Sequence, residues 1–410
     1  MRKREWKKCI MAMKGRRHLK MRILLHCDEY TPRHVPCAIR MQVFSNVFQG
    51  KGNHVSVLAG SNSLDGGPNR PSETIYCPTI PLKKKNSFYR MLNQMSFAIS
   101  SFVISPRVGT ADIVITTSPP VLISIFGWMI AKSKGAKLVY DVRDIWPDVA
   151  LEMGSFTENS FYCKLFRFIA NFMFKHADII TTVSPGKVEK IKAKLPENQK
   201  NKVWLVENGL DENFLKQQED PDVIDTYHLK EKFTCVYIGN IGLAQGLSHL
   251  LDLAECVDQD KFQFLLFGKG AEQQKLEEDA QKRGLQHVHF CGTVSENTVY
   301  NILKNASMTY IPLVNANLKD SIPTKTYEAL GAGCPILMVA EGDATKIVNE
   351  SRFGMTLSPT EIEKLLDVFE RFVNEYSNII SQKEYAREYV LREHSRQKIT
   401  SSFLEKLTNL

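Results

Sequence analysis

The feature that most constrains this chain is an alternation of short apolar segments with helical segments, which occurs in two separate runs. The first run covers residues 22–206 and the second covers residues 234–339. Short apolar segments bounded by turn residues predict buried strands, and the helical segments between them supply the crossovers that parallel strands need. The sequence therefore predicts an α/β protein built from two parallel sheets, each wrapped by helices.

Six strands are predicted in the first run and five in the second. They are Arg22–His26, Val55–Leu58, Ile113–Thr116, Lys137–Tyr140, Ile179–Val183 and Val203–Val206, then Thr234–Ile238, Gln263–Phe267, Val288–Cys291, Met308–Ile311 and Pro335–Val339. Residues 212–232 are charged and are interpreted as a linker with one irregular helix. Residues 360–410 are predicted to be helical, to contain no further strand, and to be long enough to cross back over the first domain.

These patterns divide the chain into four parts. They are a basic leader at residues 1–20, an N-terminal domain at residues 21–207, a C-terminal domain at residues 208–390, and a helix at residues 391–410 that packs back on the N-terminal domain. The leader carries nine Lys or Arg and one acid, which accounts for the net charge of +8. We interpret the leader as an upstream extension, a disordered arm or a membrane-attracted tail. The rest of the chain is neutral, so no broad nucleic-acid surface is predicted.

The cysteines and the apolar runs indicate the compartment. Nine cysteines are scattered without a C-x-x-C pair, and the histidines do not cluster, which favours a reducing cytosol over disulfides or structural zinc. No apolar run reaches the roughly 18–20 residues that span a bilayer. The longest run, Val121–Ala131, is predicted to be a core helix.

The segment Ser321–Met338 is the strongest candidate for a binding site. It is predicted to be a helix opened by Pro323, closed by Gly331 and Gly333, and followed by a buried strand. N–H groups at the start of such a helix point toward an anion. Glu328 is the only acid on the segment, and its carboxylate can accept hydrogen bonds from both hydroxyls of a ribose. The alternative is that Glu328 is a solvated helix residue.

Two glycine-rich turns follow strands of the second domain. One contains Gly239, Asn240 and Gly242, and the other is Gly268-Lys269-Gly270. Glycine lets the backbone approach a phosphate or a base closely. Neither turn completes a G-x-G-x-x-G motif, because Gln273 replaces the last glycine. Plain tight turns are therefore the alternative.

The first domain contributes a charged turn, Asp141–Asp148, which contains Arg143 and Asp144 directly after a predicted strand. Its place at the carboxyl end of a strand favours a site facing the cleft between the domains. A structural ion pair between Arg143 and a neighbouring Asp is the alternative. No Asp-x-Asp pair stands at a strand end, so we expect no metal.

A basic and aromatic segment suggests contact with a membrane. Lys83, Lys84, Lys85 and Arg90 surround aromatic residues and precede the apolar helical stretch Met91–Ile104. Such a combination suits the surface of an anionic membrane. A loop followed by a core helix is the alternative.

Taken together, these motifs resemble family 4 of the retaining glycosyltransferases, which have the GT-B fold of two facing Rossmann-like domains. The resemblance extends from Met21 to the C-terminus. Its most specific parts are Y-I-G-N-I-G-L-A-Q-G-L at Tyr237–Leu247, V-E-N-G-L-D at Val206–Asp211, D-V-R-D-I-W-P-D at Asp141–Asp148 and S-I-P-T-K-T-Y-E-A-L-G-A-G-C-P-I-L at Ser321–Leu337. Within the family, the chain is most similar to bacterial O-antigen and capsule enzymes that transfer N-acetyl-L-fucosamine.

The resemblance implies an enzyme of the hexosyltransferase type that moves a sugar, N-acetyl-fucosamine or a similar amino sugar, from a UDP-linked donor. The implied acceptor is a polyprenyl-diphosphate-linked saccharide at the inner face of the bacterial cytoplasmic membrane. It implies that the N-terminal domain binds the acceptor and that the C-terminal domain binds the nucleotide sugar. It implies a peripheral membrane enzyme of lipopolysaccharide or capsule synthesis without a cofactor or a metal.

The resemblance also assigns roles to single residues. Glu328 matches the second acid of the family's E-x7-E motif and would hold the donor ribose. Gly239 and Gly242 match the phosphate loop, and Gly268–Gly270 match the turn near the nucleotide base. The first acid of the motif contacts the transferred sugar, and Asp320 stands at its position in place of Glu.

Two further departures concern the charges in the site. Many relatives carry Arg and Lys where this chain has Asn240 and Gln245, so another cation has to neutralise the diphosphate. Lys325 is the first candidate and Lys269 the second. Arg143-Asp144 replaces a His-Asp pair, which implies different recognition of the acceptor or the sugar.

The departures leave two other hypotheses open. One is a nucleotide-sugar epimerase, which can use the same two domains without an acceptor. The other is a non-catalytic partner subunit that retains the fold. Binding of a nucleotide would argue against the partner subunit, and release of a free epimer without an acceptor would support the epimerase.

Overall fold

Two parallel sheets form the framework of the computed structural model, which describes residues 20–33, 35–67, 73–81, 87–152, 154, 156–242, 245–313 and 316–410. The first sheet has seven strands and the second has six. Every strand pair in both sheets is parallel. The predicted α/β class with two Rossmann-like domains is confirmed.

The N-terminal sheet has the strand order β3-β2-β1-β4-β5-β6-β7. Its strands are β1 (Arg22–Cys27), β2 (His54–Gly60), β3 (Thr74–Cys77), β4 (Ile113–Ser118), β5 (Lys137–Val142), β6 (Ile179–Thr182) and β7 (Val203–Leu205). The helices between them are α1 (Pro36–Gly50), α2 (Ser87–Ile104), α3 (Val121–Lys134), α4 (Asp148–Glu152), α5 (Phe161–His176) and α6 (Pro185–Lys192).

The C-terminal sheet has the strand order β10-β9-β8-β11-β12-β13. Its strands are β8 (Phe233–Ile238), β9 (Phe262–Phe267), β10 (Val288–Gly292), β11 (Met308–Pro312), β12 (Ile336–Val339) and β13 (Gly354–Leu357). The remaining helices are α7 (Pro221–Thr226), α8 (Ser248–Cys256), α9 (Gln273–Lys282), α10 (Glu296–Asn305), α11 (Thr324–Ala332), α12 (Asp343–Ser351), α13 (Leu365–Asn374), α14 (Tyr376–Ser381), α15 (Lys383–Glu393) and α16 (Arg396–Thr408).

Two strands, β3 and β13, were not predicted from the sequence, and both lie at the edge of a sheet. β3 pairs only with β2, and β13 pairs only with β12. Each has four residues, of which only the last is fully buried. An edge strand is partly solvated and so lacks the continuous apolar run that marks a central parallel strand. This local pattern is too weak to predict the strand without its neighbour.

The helix α11 differs from its prediction at the C-terminal end. Pro323 precedes the helix as its N-cap, and Gly333 ends it in a left-handed conformation with φ of 77°. Gly331 lies inside the helix and does not close it. A Cβ atom there would lie 2.7 Å from the side chain of Leu210, so glycine permits close packing on the segment that joins the domains.

The charged segment at residues 212–232 is part of the C-terminal domain and not a free linker. Phe214, Val223 and Leu229 are buried in the core of that domain. The segment also contains the short helix α7 and a 3₁₀ turn at Glu212–Lys216. Its charged residues lie on the solvent side. They lower the mean hydropathy of the segment, so the few buried apolar positions are not evident from its composition.

The C-terminal helix crosses back to the N-terminal domain, as predicted. Phe403, Leu404 and Leu407 of α16 are buried in the core that α1 covers. The Phe403 ring lies 5.5 Å from the Phe44 ring. Two chain segments therefore connect the domains, and they pair directly, since the Leu210 amide donates to the His394 carbonyl at 2.7 Å.

Candidate active site

The candidate site lies where the carboxyl ends of the two sheets face each other, because ligands of open α/β sheets bind at that edge. Contacts between the domains join these edges. The Ser184 hydroxyl, directly before α6, donates to the Asp320 carbonyl at 2.6 Å. Asp320 lies four residues before α11. The helix α11 therefore begins beside the domain interface.

Lys325, in the first turn of α11, points toward the first glycine-rich turn. Its Nζ atom lies 4.1 Å from the centre of the Tyr237 ring. A Cβ atom at Gly239 would lie 3.3 Å from the same Nζ, and Gly239 has φ of 145°. Burial lowers the pKa of Lys325 to about 7, although Glu328 acts in the opposite direction. In the described part of the chain this buried ammonium group has no hydrogen-bond partner.

Glu328 lies one turn further along the same helix. Burial raises the pKa of its carboxyl group, while Arg396 and Lys325 partly offset that effect. The side chain is only partly buried. Among the described residues it has no ion pair and no hydrogen bond. A carboxylate without a protein partner, next to an ammonium group without one, is the arrangement that a polar ligand would complete.

The two glycine-rich turns pack backbone against backbone. A Cβ atom at Gly268 would lie 1.8 Å from the Gly239 carbonyl oxygen, and one at Gly270 would lie 1.9 Å from the Ile241 carbonyl oxygen. The Ile241 amide donates to the Lys269 carbonyl at 3.0 Å. The glycines therefore have a packing function, and the two turns form one surface beside Lys325.

The polar residues of these turns differ in exposure. Lys269 is exposed, whereas the Oε1 atom of Gln245 is buried and lacks a hydrogen-bond partner among the described residues. A Cβ atom at Gly242 would lie 2.6 Å from Asn240 Nδ2, so the Asn240 side chain folds over its own turn. Among the described residues, Lys325 is the cation that lies against Gly239.

Asp320 reaches into the other domain. Its Oδ2 atom lies 3.0 Å from Lys190 Nζ, and its side chain is 9 % exposed. Lys187 Nζ donates to the Asp320 carbonyl at 2.9 Å. Asp320 therefore forms an ion pair across the domain interface. The resemblance had assigned its position to contact with the transferred sugar.

The charged turn of the N-terminal domain separates into two parts. Asp141 is fully buried and pairs with Arg40, whose Nη2 lies 2.8 Å from Asp141 Oδ1. Burial opposes ionisation of Asp141, but Arg40 outweighs it and lowers the pKa. Arg143 donates to Thr117 Oγ1 at 3.1 Å and to the Pro119 carbonyl. Asp144 lies 3.9 Å from Lys187.

Arg143 lines a cavity of about 640 Å³ at the carboxyl edge of the N-terminal sheet. Asp28 and Glu29 lie on the same wall, and burial raises the pKa of Asp28 to about 7. Aromatic side chains form another wall, namely Trp146, Phe156, Tyr162 and Phe166. Glu29 and the last three aromatic residues were not predicted to line a cavity, although the run of aromatic residues shortly after Pro147 was a usable signal.

The basic segment is only partly described. Lys83, Lys84 and Lys85 lie outside the described residues, whereas Arg90 is exposed and contributes to the rim of the same cavity. Beside it, α2 and the preceding loop leave apolar side chains in solvent. Ile80 is 44 % exposed, Ile99 is 50 % and Val103 is 69 %.

The described residues contain neither a membrane-spanning helix nor a cluster of metal ligands. Within the ranges given above, no helix combines the length and apolar character needed to cross a bilayer. Across the same ranges, no group of three or more His, Cys, Asp or Glu side chains is placed to hold a metal ion.

The comparison with protein families defines the class of this protein. Residues 218–389 match the family model described as glycosyl transferases group 1. This match covers most of the C-terminal domain, including both glycine-rich turns and α11. Together with the glycosyltransferase names of the relatives below, this match identifies the chain as a glycosyltransferase.

Two curated relatives match at low identity over most of the chain. A Pseudomonas aeruginosa protein named as a glycosyltransferase, WbjE, is 24 % identical over 306 residues, which are 72 % of this chain and 76 % of the relative. An Escherichia coli K12 protein named as a colanic acid biosynthesis glycosyl transferase, WcaI, is 24 % identical over 275 residues, which are 65 % of this chain and 67 % of the relative.

Solved structures establish the fold. Anabaena HepE in complex with UDP matches with a TM-score of 0.71 at 15 % identity, covering 95 % of this chain and 100 % of HepE. WaaG, a glycosyltransferase involved in lipopolysaccharide biosynthesis, matches with a TM-score of 0.69 at 14 % identity, covering 94 % of this chain and 98 % of WaaG. The fold is GT-B, as predicted.

Proposed function

We propose that this enzyme transfers a sugar, with retention of configuration, from a UDP-sugar to a polyprenyl-diphosphate-linked saccharide in the synthesis of a bacterial surface polysaccharide. The observation that carries this proposal is the pair Lys325 and Glu328 in the first half of α11, two ionisable side chains that have no hydrogen-bond partner among the described residues. The relative WcaI, named for colanic acid biosynthesis, and the structural neighbour WaaG, which is involved in lipopolysaccharide biosynthesis, support the proposed pathway class.

For the donor, we infer that Lys325 contacts the diphosphate and that Glu328 accepts hydrogen bonds from the ribose hydroxyls. A phosphate beside Lys325 would compensate the cost of burying its ammonium group. Asn240 and Gln245 lack charge, so Lys325 supplies the cation that the phosphate loop does not. UDP in the HepE complex supports uridine as the base of the donor.

For the acceptor, we infer that the N-terminal cavity is the binding site. Arg143 and Arg90 can pair with phosphate groups, and the aromatic wall with Trp146 and Phe156 can contact the apolar face of a sugar or the start of a lipid chain. Asp28 and Glu29 can accept hydrogen bonds from acceptor hydroxyls. The chain's resemblance to N-acetyl-fucosamine transferases leads us to propose an amino sugar as the transferred group.

The proposed chemistry needs no nucleophile from the protein. As the UDP group departs, charge develops on its leaving oxygen, and the start of α11 together with Lys325 can stabilise that charge. The leaving phosphate can take the proton from the acceptor hydroxyl on the same face of the sugar, so the configuration is retained. We propose that the reaction requires neither a metal nor another cofactor.

We further propose that the enzyme works at the inner face of the cytoplasmic membrane as a peripheral protein. The exposed apolar side chains Ile80, Ile99 and Val103 lie on α2 or just before it, and they support contact with lipid. Phe161 and Phe168 of α5 are also exposed, at 73 % and 67 %. Both helices contribute residues to the cavity that a lipid-linked acceptor would enter.

The test is binding of UDP, GDP and several UDP-sugars to the purified protein by calorimetry, followed by transfer to a polyprenyl-diphosphate-linked saccharide. We expect UDP to bind at least tenfold more tightly than GDP, and transfer to require the lipid-linked acceptor. Failure of every nucleotide to bind would contradict the donor site and favour a non-catalytic subunit. Release of an epimerised sugar without an acceptor would favour the epimerase.

A further inference from the structure

A cluster of contacts joins α6 of the N-terminal domain to the segment that leads into α11. Lys190 Nζ lies 3.0 Å from Asp320 Oδ2 and 3.1 Å from Glu152 Oε1. Burial opposes the charge on Lys190, but hydrogen bonds to Asp320 and Glu152 outweigh it and raise its pKa. Lys187 and Ser184 donate to the Asp320 carbonyl at 2.9 Å and 2.6 Å. Both the side chain and the backbone of Asp320 are therefore held by the other domain.

A second acid of the C-terminal domain strengthens this contact. Asp343, the first residue of α12, accepts a hydrogen bond from the Gly186 amide at 2.6 Å. A Cβ atom at Gly186 would lie 2.8 Å from the Asp320 Cβ and 2.9 Å from Asp343 Oδ2. The absence of a side chain at residue 186 lets the two domains approach this closely.

The segment around Asp320 is also tied within its own domain. The Asp343 amide donates to the Lys319 carbonyl at 2.8 Å. Asp320 is five residues before Lys325, and Pro323 stiffens the backbone between them. A shift of Asp320 caused by domain opening would therefore be passed to the start of α11.

We propose that Asp320 is a positioning residue that locks the two domains together through Lys190 and thereby holds the start of α11 in place. It acts on the donor site through Lys325 and does not contact the transferred sugar. A domain interface inside a chain is commonly mobile, so an ion pair across it, with Asp320 9 % exposed and Lys190 40 % exposed, favours one arrangement of the domains. This role in transfer rests on the proposed function, whereas the lock itself does not.

The test is a double-mutant cycle with Lys190→Ala, Asp320→Asn and the two combined. Lys192→Ala is the matched control, because Lys192 lies on the same helix but pairs with Glu189 of that helix. Hydrogen exchange at residues 321–327, measured without nucleotide, reports the lock independently of activity. We expect exchange to rise at least fivefold in each single variant, no further rise in the double variant, and no change in the control.

In the transfer assay we expect each single variant to lower kcat by about 10- to 30-fold, with less than a threefold change in UDP affinity. The double variant should match the single variants, because both remove the same ion pair. Asp320→Glu keeps the charge and should recover part of the activity. Additive effects, or a loss in Asp320→Asn with normal behaviour of Lys190→Ala, would overturn the lock and favour contact with the sugar. If the unaltered protein does not bind UDP, the proposed function is wrong. The hydrogen-exchange measurement would still test the ion pair between the domains.

Discussion

The ammonium group of Lys325 lies 4.1 Å from the centre of the Tyr237 ring and has no hydrogen-bond partner in the part of the chain that the structure describes. The ring partly compensates the buried charge, since a cation over an aromatic face gains about 0.5–2 kcal/mol. It cannot replace a hydrogen-bonding anion. This unsatisfied cation is the physical basis of the proposed donor site and of the first two predictions.

Replacing Lys325 with Met should weaken UDP binding by about 10- to 100-fold, because a charge-assisted hydrogen bond contributes about 1.5–3 kcal/mol. The thermal midpoint should not fall, since the substitution removes a buried charge. Calorimetry with UDP and thermal denaturation measure both effects. Lys269→Met is the control, because it also removes a lysine near the glycine-rich turns but an exposed one. Its affinity for UDP should stay within about threefold of that of the unaltered protein.

UDP affinity should decrease as the pH rises above 7. Burial places the pKa of Lys325 at about 7 in the free protein, so at higher pH the side chain is neutral and must take up a proton to bind the diphosphate. The affinity should fall by up to about tenfold per pH unit. Lys325→Arg keeps the charge at all these pH values and should show a flat profile, and a flat profile in the unaltered protein would count against the assignment.

Glu328→Ala should weaken binding of UDP more than binding of 2′-deoxy-UDP. A carboxylate that accepts both ribose hydroxyls loses one of its two bonds when the 2′ hydroxyl is absent, so the substitution matters less for the deoxy ligand. We expect about tenfold weaker UDP binding and less than threefold for the deoxy ligand. Equal losses for both ligands would show that Glu328 acts on the structure of α11 and not on the ribose.

Gly270→Ala should abolish nucleotide binding and destabilise the C-terminal domain. A Cβ atom would lie 1.9 Å from the Ile241 carbonyl oxygen, which would force the two turns apart. Gly50→Ala is the control, because no atom lies within 4 Å of a Cβ at that position. Differential scanning calorimetry should show a lowered midpoint for the first variant only.

The stability of the N-terminal domain should fall at acidic pH because of His26. Its ring is fully buried between Thr116 and Ser101, at 3.0 Å and 2.9 Å, and burial lowers the pKa from 6.5 to about 3. The neutral form is therefore favoured in the folded state, and the stability it confers is lost as the pH falls below 6.5. Between pH 6.5 and pH 5 the loss is about 2 kcal/mol. Urea unfolding at both values should show it, and His26→Gln should reduce the difference.

The central strands and the two-domain architecture could be predicted because their signal is local. A strand buried on both faces has to be apolar along its length, as Ile336–Val339 is. Such an apolar run predicted the central strands. The glycine turns and Glu328 were visible for a similar reason, since they occupy fixed places after a strand or within a helix. The edge strands β3 and β13 lack such a pattern and were missed.

The tertiary structure decided which charged residues form ion pairs. The sequence placed Asp141, Arg143 and Asp144 side by side, yet Asp141 pairs with Arg40, 101 residues away, and Asp144 lies beside Lys187. Asp320 likewise forms an ion pair with Lys190 across the domain interface. The sequence by itself determined the two sheets and the donor helix, because burial imposes a periodic pattern on adjacent residues. The pairing of charges depends on the packing of distant segments, which no local pattern records, so only the folded chain shows which charges pair within the protein.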